Sequence, residues 1–327
     1  MGSGVWSVNT YSARASQRQA SGQDAFEFSA NTKAVHPSLD PHGLEMRESR
    51  DSREHPDSNS IIVGLDVSGS MGTVVRGIHA SLPKLLGLLL NQSYIPHPQI
   101  MFAAFSNASC DRVALQVGQF ESDNRMDVHL ENLVLGGILA GGCDQNYESA
   151  ELMLYTAARH TSIDCYEKRK RKGYLFIISD EMAYPAVKAA EVKRVFGSDI
   201  PADIPLQNII AEVKDKYHLF VIIPTQTQSG KNPAVHSHYH SNFDSNHVIM
   251  LDQAENAAQM IALAIGLTEG RITLDQGIEH LRAAGAGKDS LKSVRKALSL
   301  VTSITGSSTL SSLDDQDNQD RRGTKRL

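Results

Sequence analysis

Short apolar runs alternate with helical spacings along the middle of the chain. Between the runs, apolar residues recur at the three- and four-residue spacing of a helix face, as at Leu82, Leu85 and Leu89. Such an alternation predicts a doubly wound, Rossmann-like α/β fold with a mostly parallel central sheet flanked by helices. Six apolar runs predict its strands: Ser60–Asp66, Gln99–Phe105, Arg112–Val117, Tyr174–Asp180, His218–Pro224 and His247–Leu251.

The ends of the chain lack this pattern and divide it into four parts. Residues 1–58 are polar with a few scattered aromatics, which predicts a partly disordered N-terminal extension. Residues 59–268 hold the α/β domain. For residues 269–302 we predict a C-terminal helical appendage, which either packs on the domain or is a free, partner-binding hairpin. For the polar residues 303–327 we predict a disordered tail.

Composition and charge narrow the class of protein. The 37 acidic and 32 basic side chains give a formal net charge of -5, which offers no overall attraction to nucleic acid or to an anionic membrane. No stretch of the chain is apolar enough to predict a membrane span or a signal peptide. The three cysteines, Cys110, Cys143 and Cys165, cannot form a disulfide framework. We therefore expect a soluble, reduced, cytoplasmic protein.

The first predicted strand ends in a cluster of hard oxygen donors. Asp66, Ser68 and Ser70 place one carboxylate and two hydroxyls at alternating positions, and such donors suit Mg²⁺ or Mn²⁺ better than zinc. A second acid, Asp180, follows a later strand. Because the carboxyl ends of parallel strands share one edge of a sheet, we expect Asp180 beside Asp66, where it can hold a metal-bound water.

These motifs, taken together, resemble a known family. DxSGSM follows a buried strand, a glycine-rich segment begins at Gly136 before a helix, and another apolar strand ends in SDE. This combination resembles a von Willebrand factor A-type (VWFA) domain over roughly residues 60–268. The three elements correspond to the family's metal-ion-dependent adhesion site (MIDAS). The likeness is to intracellular bacterial and phage members rather than to secreted adhesion modules.

The resemblance implies a metal site, with one departure in the loop. The resemblance implies that the ligands of Mg²⁺ or Mn²⁺ are Asp66, Ser68 and Ser70. It also implies that Asp180 is the acid that binds the cation through a water. The family's glycine-rich loop normally adds a threonine, but none lies between Gly136 and Ser149. We predict Asp144 as its replacement, with Gln145 and Asn146 as the other options.

The function that the resemblance implies is non-enzymatic, metal-dependent protein binding. An open position on the cation would accept an Asp or Glu carboxylate of a partner, because a hard cation in a partly desolvated pocket attracts carboxylates strongly. Members of this kind work in intracellular multi-protein assemblies. A MoxR-type AAA+ ATPase system is therefore a candidate partner.

Two alternatives stay open at the level of sequence. LDVSGSM also resembles the LDxDGT motif of haloacid-dehalogenase-type phosphatases, with Asp66 as nucleophile, but Ser68 stands where that chemistry needs a general acid. The missing threonine could instead mark a structural subunit with a degenerate metal site. No phosphate-binding loop, GxSxG or HExxH motif occurs, so we predict no catalytic residue.

The segment Pro233–His247 is polar and rich in histidine. It carries His236, His238, His240 and His247, and His-rich tracts bind zinc in some proteins. Imidazoles at every second position of a polar loop are more often solvated. We therefore predict a solvated loop, with zinc binding or pH sensitivity as the alternatives.

Overall fold

The computed structural model describes residues 4, 6–22, 26–32, 34–136, 146–299 and 301. Its longest strands lie where the apolar runs predict them. The strands in chain order are β1 Arg47–Ser49, β2 Asn59–Asp66, β3 Pro98–Phe105, β4 Leu115–Val117, β5 Tyr147–Glu148, β6 Thr161–Ile163, β7 Gly173–Ile178, β8 Met182–Ala183, β9 Ala186–Val187, β10 Ile204–Pro205, β11 Tyr217–Pro224 and β12 Val248–Leu251.

Helices connect most of these strands and are joined by short 3₁₀ turns. The helices in chain order are α1 Val8–Ser21, α2 Glu27–Asn31, α3 Val74–Ser81, α4 Leu85–Asn91, α5 Arg125–Glu131, α6 Ala150–Arg159, α7 Asp164–Glu167, α8 Ala189–Phe196, α9 Leu206–Lys216, α10 Pro233–Asn242, α11 Ala257–Thr268, α12 Leu274–Ala283 and α13 288–299.

Six of the described strands form the central sheet, in the order β12-β11-β7-β2-β3-β4. Neighbouring strands are parallel except β4, which runs antiparallel to β3. The chain enters the sheet at β2, adds β3 on one side, and later adds β7, β11 and β12 on the other. The predicted doubly wound α/β fold is confirmed, and its switch point lies at the carboxyl end of β2.

Alternate side chains of the central strands enter two apolar cores, one on each face of the sheet. In β2, Ile61 and Val63 join the core that includes α3, α4 and α11, whereas Ile62 joins the core that includes α6 and α9. All three side chains are fully buried. Strands buried on both faces are continuous apolar runs in sequence, which explains why the sequence located them.

The N-terminal extension contacts the domain at several points. β1 pairs in parallel with β6. The buried Phe26 ring lies 4.4 Å from the ring of His79, and the Trp6 side chain lies against Gly87. The segment predicted as partly disordered therefore contributes helices, a strand and core contacts within the described residues.

The two C-terminal helices pack on the domain. Their apolar side chains belong to the same core as α3, α4 and α11, so of the two alternatives for this segment the structure has the packed one. The buried members are Ile278, Leu281, Leu291, Val294 and Leu298. The predicted tail, 303–327, lies outside the described residues.

The cysteines differ from their expectation. Cys110 is disulfide-bonded, Cys165 is a free, buried thiol, and Cys143 lies outside the described residues. The disulfide at Cys110 therefore runs against the expectation of a reduced protein. Because disulfides are typical of oxidising compartments, the cysteines give no support to a cytoplasmic location.

None of the helices in the described part of the chain is both long and apolar enough to cross a bilayer.

Candidate metal centre

Asp66 is the last residue of β2, at the carboxyl edge of the sheet. Its side chain is fully buried. The backbone N–H of Ser68 donates to Oδ1 at 2.9 Å, and the Ser179 hydroxyl donates to Oδ2 at 2.6 Å. Ser179 directly follows β7, so the parallel register of β2 and β7 brings it opposite Asp66. The carboxylate is thus held by groups from two strand ends.

The predicted hydroxyl ligands lie next to this carboxylate. Ser68 Oγ and Ser70 Oγ are 3.0 Å apart, and Ser70 Oγ donates to Asp180 Oδ1 at 2.8 Å. Ser68 is buried, whereas Ser70 is half-buried and opens the group to solvent. The structure therefore brings Asp66, Ser68, Ser70 and Asp180 together, although they come from loops more than 100 residues apart.

Asp180 leaves one donor position open. It is fully buried, yet its Oδ2 has no hydrogen-bond partner. Buried carboxylate oxygens are rarely left without a partner, because desolvation is costly. The carboxylates of Asp66 and Asp180 and the hydroxyls of Ser68 and Ser70 together are a donor set that fits a hard cation such as Mg²⁺.

Electrostatics at the centre also favour a cation. Burial, and then the charge of Asp180, raise the pKa of Asp66, against the hydrogen bonds from Ser179 and Ser68. Burial also raises the pKa of Asp180, which hydrogen bonds from the hydroxyls of Thr227 and then of Ser70 partly offset. Within the described part of the chain, no Lys or Arg forms an ion pair with either acid. A divalent cation would supply the missing positive charge.

The glycine-rich loop is described only at its two ends. Gly136 donates its backbone N–H to Val67 O at 2.8 Å. The predicted ligand Asp144 and the alternative Gln145 lie outside the described residues. The remaining option, Asn146, has a left-handed backbone (φ 80°) and accepts a hydrogen bond from Met182 N at 2.9 Å.

Sequence reasoning gave no role in the site to two further acids, Glu148 and Glu181. Burial, followed by the charges of Asp66 and Glu181, raises the pKa of Glu148, and burial followed by the charge of Asp180 raises the pKa of Glu181. Ser229 Oγ donates to Glu181 Oε1 at 3.1 Å. The sequence did carry one signal for these two acids, namely their position. Glu148 follows the glycine-rich loop, and Glu181 directly follows Asp180.

The histidine-rich segment was predicted as a loop, and this prediction is wrong. Pro233–Asn242 forms helix α10, which begins at a proline and is capped by the Asn232 side chain. The helix supports the centre, because the buried Tyr239 donates its hydroxyl to Glu181 O at 2.7 Å. Within the described residues, no three His, Cys, Asp or Glu side chains form a group that could hold a metal. The expected magnesium centre differs from such a group because half of its donors are serine hydroxyls.

Among known proteins, the chain is similar to several solved structures. Among them are the pilus adhesin SpaC from Lactobacillus rhamnosus GG (10% identity, TM-score 0.45) and the vWF domain of the type V pili tip protein Mfa5 from Porphyromonas gingivalis (13% identity, TM-score 0.42). The first similarity covers 68% of this chain and 31% of SpaC, and the second covers 65% of this chain and 97% of the Mfa5 domain.

A further similar structure is an aerotolerance-related membrane protein from Bacteroides fragilis, at 13% identity and TM-score 0.38, with 65% of this chain and all of that chain covered. No protein-family model and no curated protein matches the chain. The chain spans about a third of SpaC, and similarity at these identities concerns the fold alone. The Mfa5 structure is a vWF domain, the family that the motifs of this chain resemble.

Proposed function

We propose that this VWFA-type domain is a non-enzymatic protein-binding module that holds a divalent cation, Mg²⁺ or Mn²⁺, at the end of β2. One observation carries the proposal. The Asp66 carboxylate, the two serine hydroxyls and Asp180 meet at the sheet edge, with Asp180 Oδ2 buried and without a partner. Ser68 and Ser70 would bind the cation, while Asp66 anchors it and Asp180 holds one of its waters.

The open position on the cation would bind a carboxylate of a partner protein. The half-buried Ser70 lies at the mouth of the centre, so a partner can approach from this side. An open pocket of about 400 Å³ adjoins Glu181 through Ser229 and is lined by polar residues, among them Asn146, Gln228 and Lys231. These side chains offer amide and ammonium donors to the residues that flank the partner's acid.

The phosphatase alternative has weaker support. Its general acid would stand at Ser68, and a serine hydroxyl cannot donate a proton at neutral pH as a carboxylic acid does. The Ser68 hydroxyl lies 3.0 Å from that of Ser70, as a pair of metal ligands would. The expectation of no enzymatic activity therefore stands as part of the proposal.

The chemistry of the centre indicates the kind of partner, and the family resemblance indicates a candidate. A surface acid of another protein in a multi-protein assembly satisfies the cation. The likeness to intracellular bacterial members makes a MoxR-type AAA+ ATPase system the first partner to test.

The metal part of the proposal is tested by calorimetry. Metal-stripped wild type and Asp66→Asn are titrated with MgCl₂ and with MnCl₂. We expect saturable heat in the wild type and none in the variant, because Asn keeps the shape of Asp66 but removes its charge. Circular dichroism checks that both proteins are folded.

The carboxylate part is tested with Mn²⁺-loaded protein and acetate. A carboxylate that replaces a water on the cation lowers the water-proton relaxation rate, which is measured directly. We expect this decrease in the wild type and not in Asp66→Asn. If the wild type binds neither metal, the chain is a structural subunit with a degenerate site and the proposal is wrong.

A further inference from the structure

Glu148 is a buried carboxylate without an evident structural function. Its side chain is 6% exposed, and its Oε2 has no hydrogen-bond partner. No lysine or arginine forms an ion pair with it in the described residues. The Glu148 and Glu181 carboxyl groups share a hydrogen bond, which leaves only Oε2 of Glu148 without a partner. A buried oxygen in this state is costly unless a cation or a hydrogen-bond donor completes it.

Its surroundings identify the missing group. Glu148 ends β5 and pairs with Ala183 of β8 in a separate two-stranded sheet, and Ala183 lies three residues after Asp180 in the chain. The charge that acts on it most strongly is that of Asp66, followed by that of Glu181. The unpartnered oxygen therefore lies among acids, where a cation or a water bound to that cation is the natural partner.

The backbone around Glu148 is held from three sides. Asn107 Nδ2 donates to Tyr147 O at 2.8 Å, and the hydroxyl of Ser149 accepts from Ala108 N at 2.9 Å. On the other side β5 pairs with β8. A carboxylate on so fixed a segment is positioned before any ligand arrives, which favours binding.

We propose that Glu148 accepts a hydrogen bond from a water on the cation. The sequence predicted Asp144 for the open place in the site, and Asp144 lies outside the described residues. This inference rests on the proposed function. Binding through a water fits two observations. The described acids do not form a direct group of three metal ligands, and Mg²⁺ gives up its waters reluctantly.

The test compares Mg²⁺ and Mn²⁺ affinities of four metal-stripped proteins by calorimetry: wild type, Asp66→Asn, Glu148→Gln and Glu121→Gln. Gln at position 148 keeps the volume and can still donate to Glu181, so the fold should persist. Glu121 is the matched control, because it is also a buried acid (5% exposed) but lies at the opposite edge of the sheet, opposite Ile100.

We expect Glu148→Gln to weaken Mg²⁺ about 10–100-fold, the loss usual for a group that orients a metal ligand. Asp66→Asn should abolish binding, and Glu121→Gln should leave it unchanged. If Glu148→Gln does not fold, Glu148→Asp keeps the charge with a shorter reach and should bind more weakly than the wild type.

Three results would overturn the inference. Wild-type affinity in Glu148→Gln, or in Glu148→Asp if that variant is the one measured, together with loss in Asp66→Asn, refutes the role of Glu148 and leaves the proposed function intact. If Glu121→Gln weakens Mg²⁺ binding as much as Glu148→Gln does, the loss reflects the removal of any negative charge from the protein and not a role of Glu148. Absence of binding by the wild type refutes the proposed function and the inference with it.

Discussion

At the scale of single residues, the centre depends on charges that the protein does not neutralise itself. Asp66, Asp180 and Glu148 are each at least nine-tenths buried, and two of them carry an oxygen without a partner. Natural folds rarely leave such groups inside without a function. The proposed divalent cation would account for all three at once.

A prediction at this scale concerns pH and a residue away from the centre, His218. Burial is the main cause that lowers the pKa of His218 from 6.5 to about 4; its ring lies 5.1 Å from that of Tyr174. The unfolded chain takes up this proton below about pH 6.5, and the folded protein only near pH 4. The free energy of unfolding should therefore fall as the pH decreases from 6.5 to 4.

Denaturant unfolding at pH 7.5 and 4.5 checks this expectation. His218→Gln should lose less stability between the two pH values than the wild type, and the exposed His240 provides the control variant His240→Gln. An equal loss in wild type and His218→Gln would show that His218 does not contribute to the acid sensitivity.

At the scale of elements, the centre is formed where strand ends meet, and supporting turns keep it in place. The turn at Gly230 carries Ser229, which binds Glu181, and leads to α10, whose Tyr239 binds the same residue. Gly230 is close to the backbone, since a Cβ there would overlap the carbonyl oxygen of Pro224. The acids at the end of β7 thus depend on a turn that tolerates only glycine.

Gly230→Ala should therefore disturb both fold and site. We expect about 1–3 kcal/mol of destabilisation, the usual cost of overpacking, and weaker Mg²⁺ binding because Ser229 moves. Gly287→Ala is the control, since a Cβ at Gly287 meets nothing. Denaturant unfolding and calorimetry measure the two effects. Unchanged stability of Gly230→Ala would contradict this account of the turn.

The sequence predicted those elements whose signals are local. The five parallel strands are apolar runs, and the DxSGS and SDE motifs follow two of them, so the meeting of Asp66 with Asp180 was predictable from the rule for parallel sheets. The position of Glu148 beside Ala183 was not, because it depends on the pairing of the two-residue strands β5 and β8. Helix α10 was missed because its polar sequence buries few side chains, although its Asn-Pro start was a usable signal.

At the scale of the whole molecule, the described residues form one packed unit. β1 adds to β6, and α12 and α13 complete the core on one face of the sheet. This arrangement leaves the carboxyl edge of β2 and β7 as the place where we propose that a partner meets the centre. The C-terminal helices add apolar side chains to the core.

A core substitution in the last helix distinguishes packing from a free hairpin. Leu298 is fully buried, so Leu298→Ala should lower the free energy of unfolding by about 2–5 kcal/mol. The exposed Lys292 on the same helix serves as the control, Lys292→Ala. Denaturant unfolding of both variants decides the matter, and an effect of Leu298→Ala no larger than that of the control would mean that α13 does not stabilise the fold.

The most direct test of the central claim is the position of a bound ion. Crystals of the protein grown with MnCl₂ should show an anomalous manganese peak at the end of β2, roughly 2 Å from the hydroxyl oxygens of Ser68 and Ser70. Crystals of Asp66→Asn should lack this peak. A manganese peak elsewhere in the wild type, or none at this edge of the sheet, would contradict the metal-dependent account.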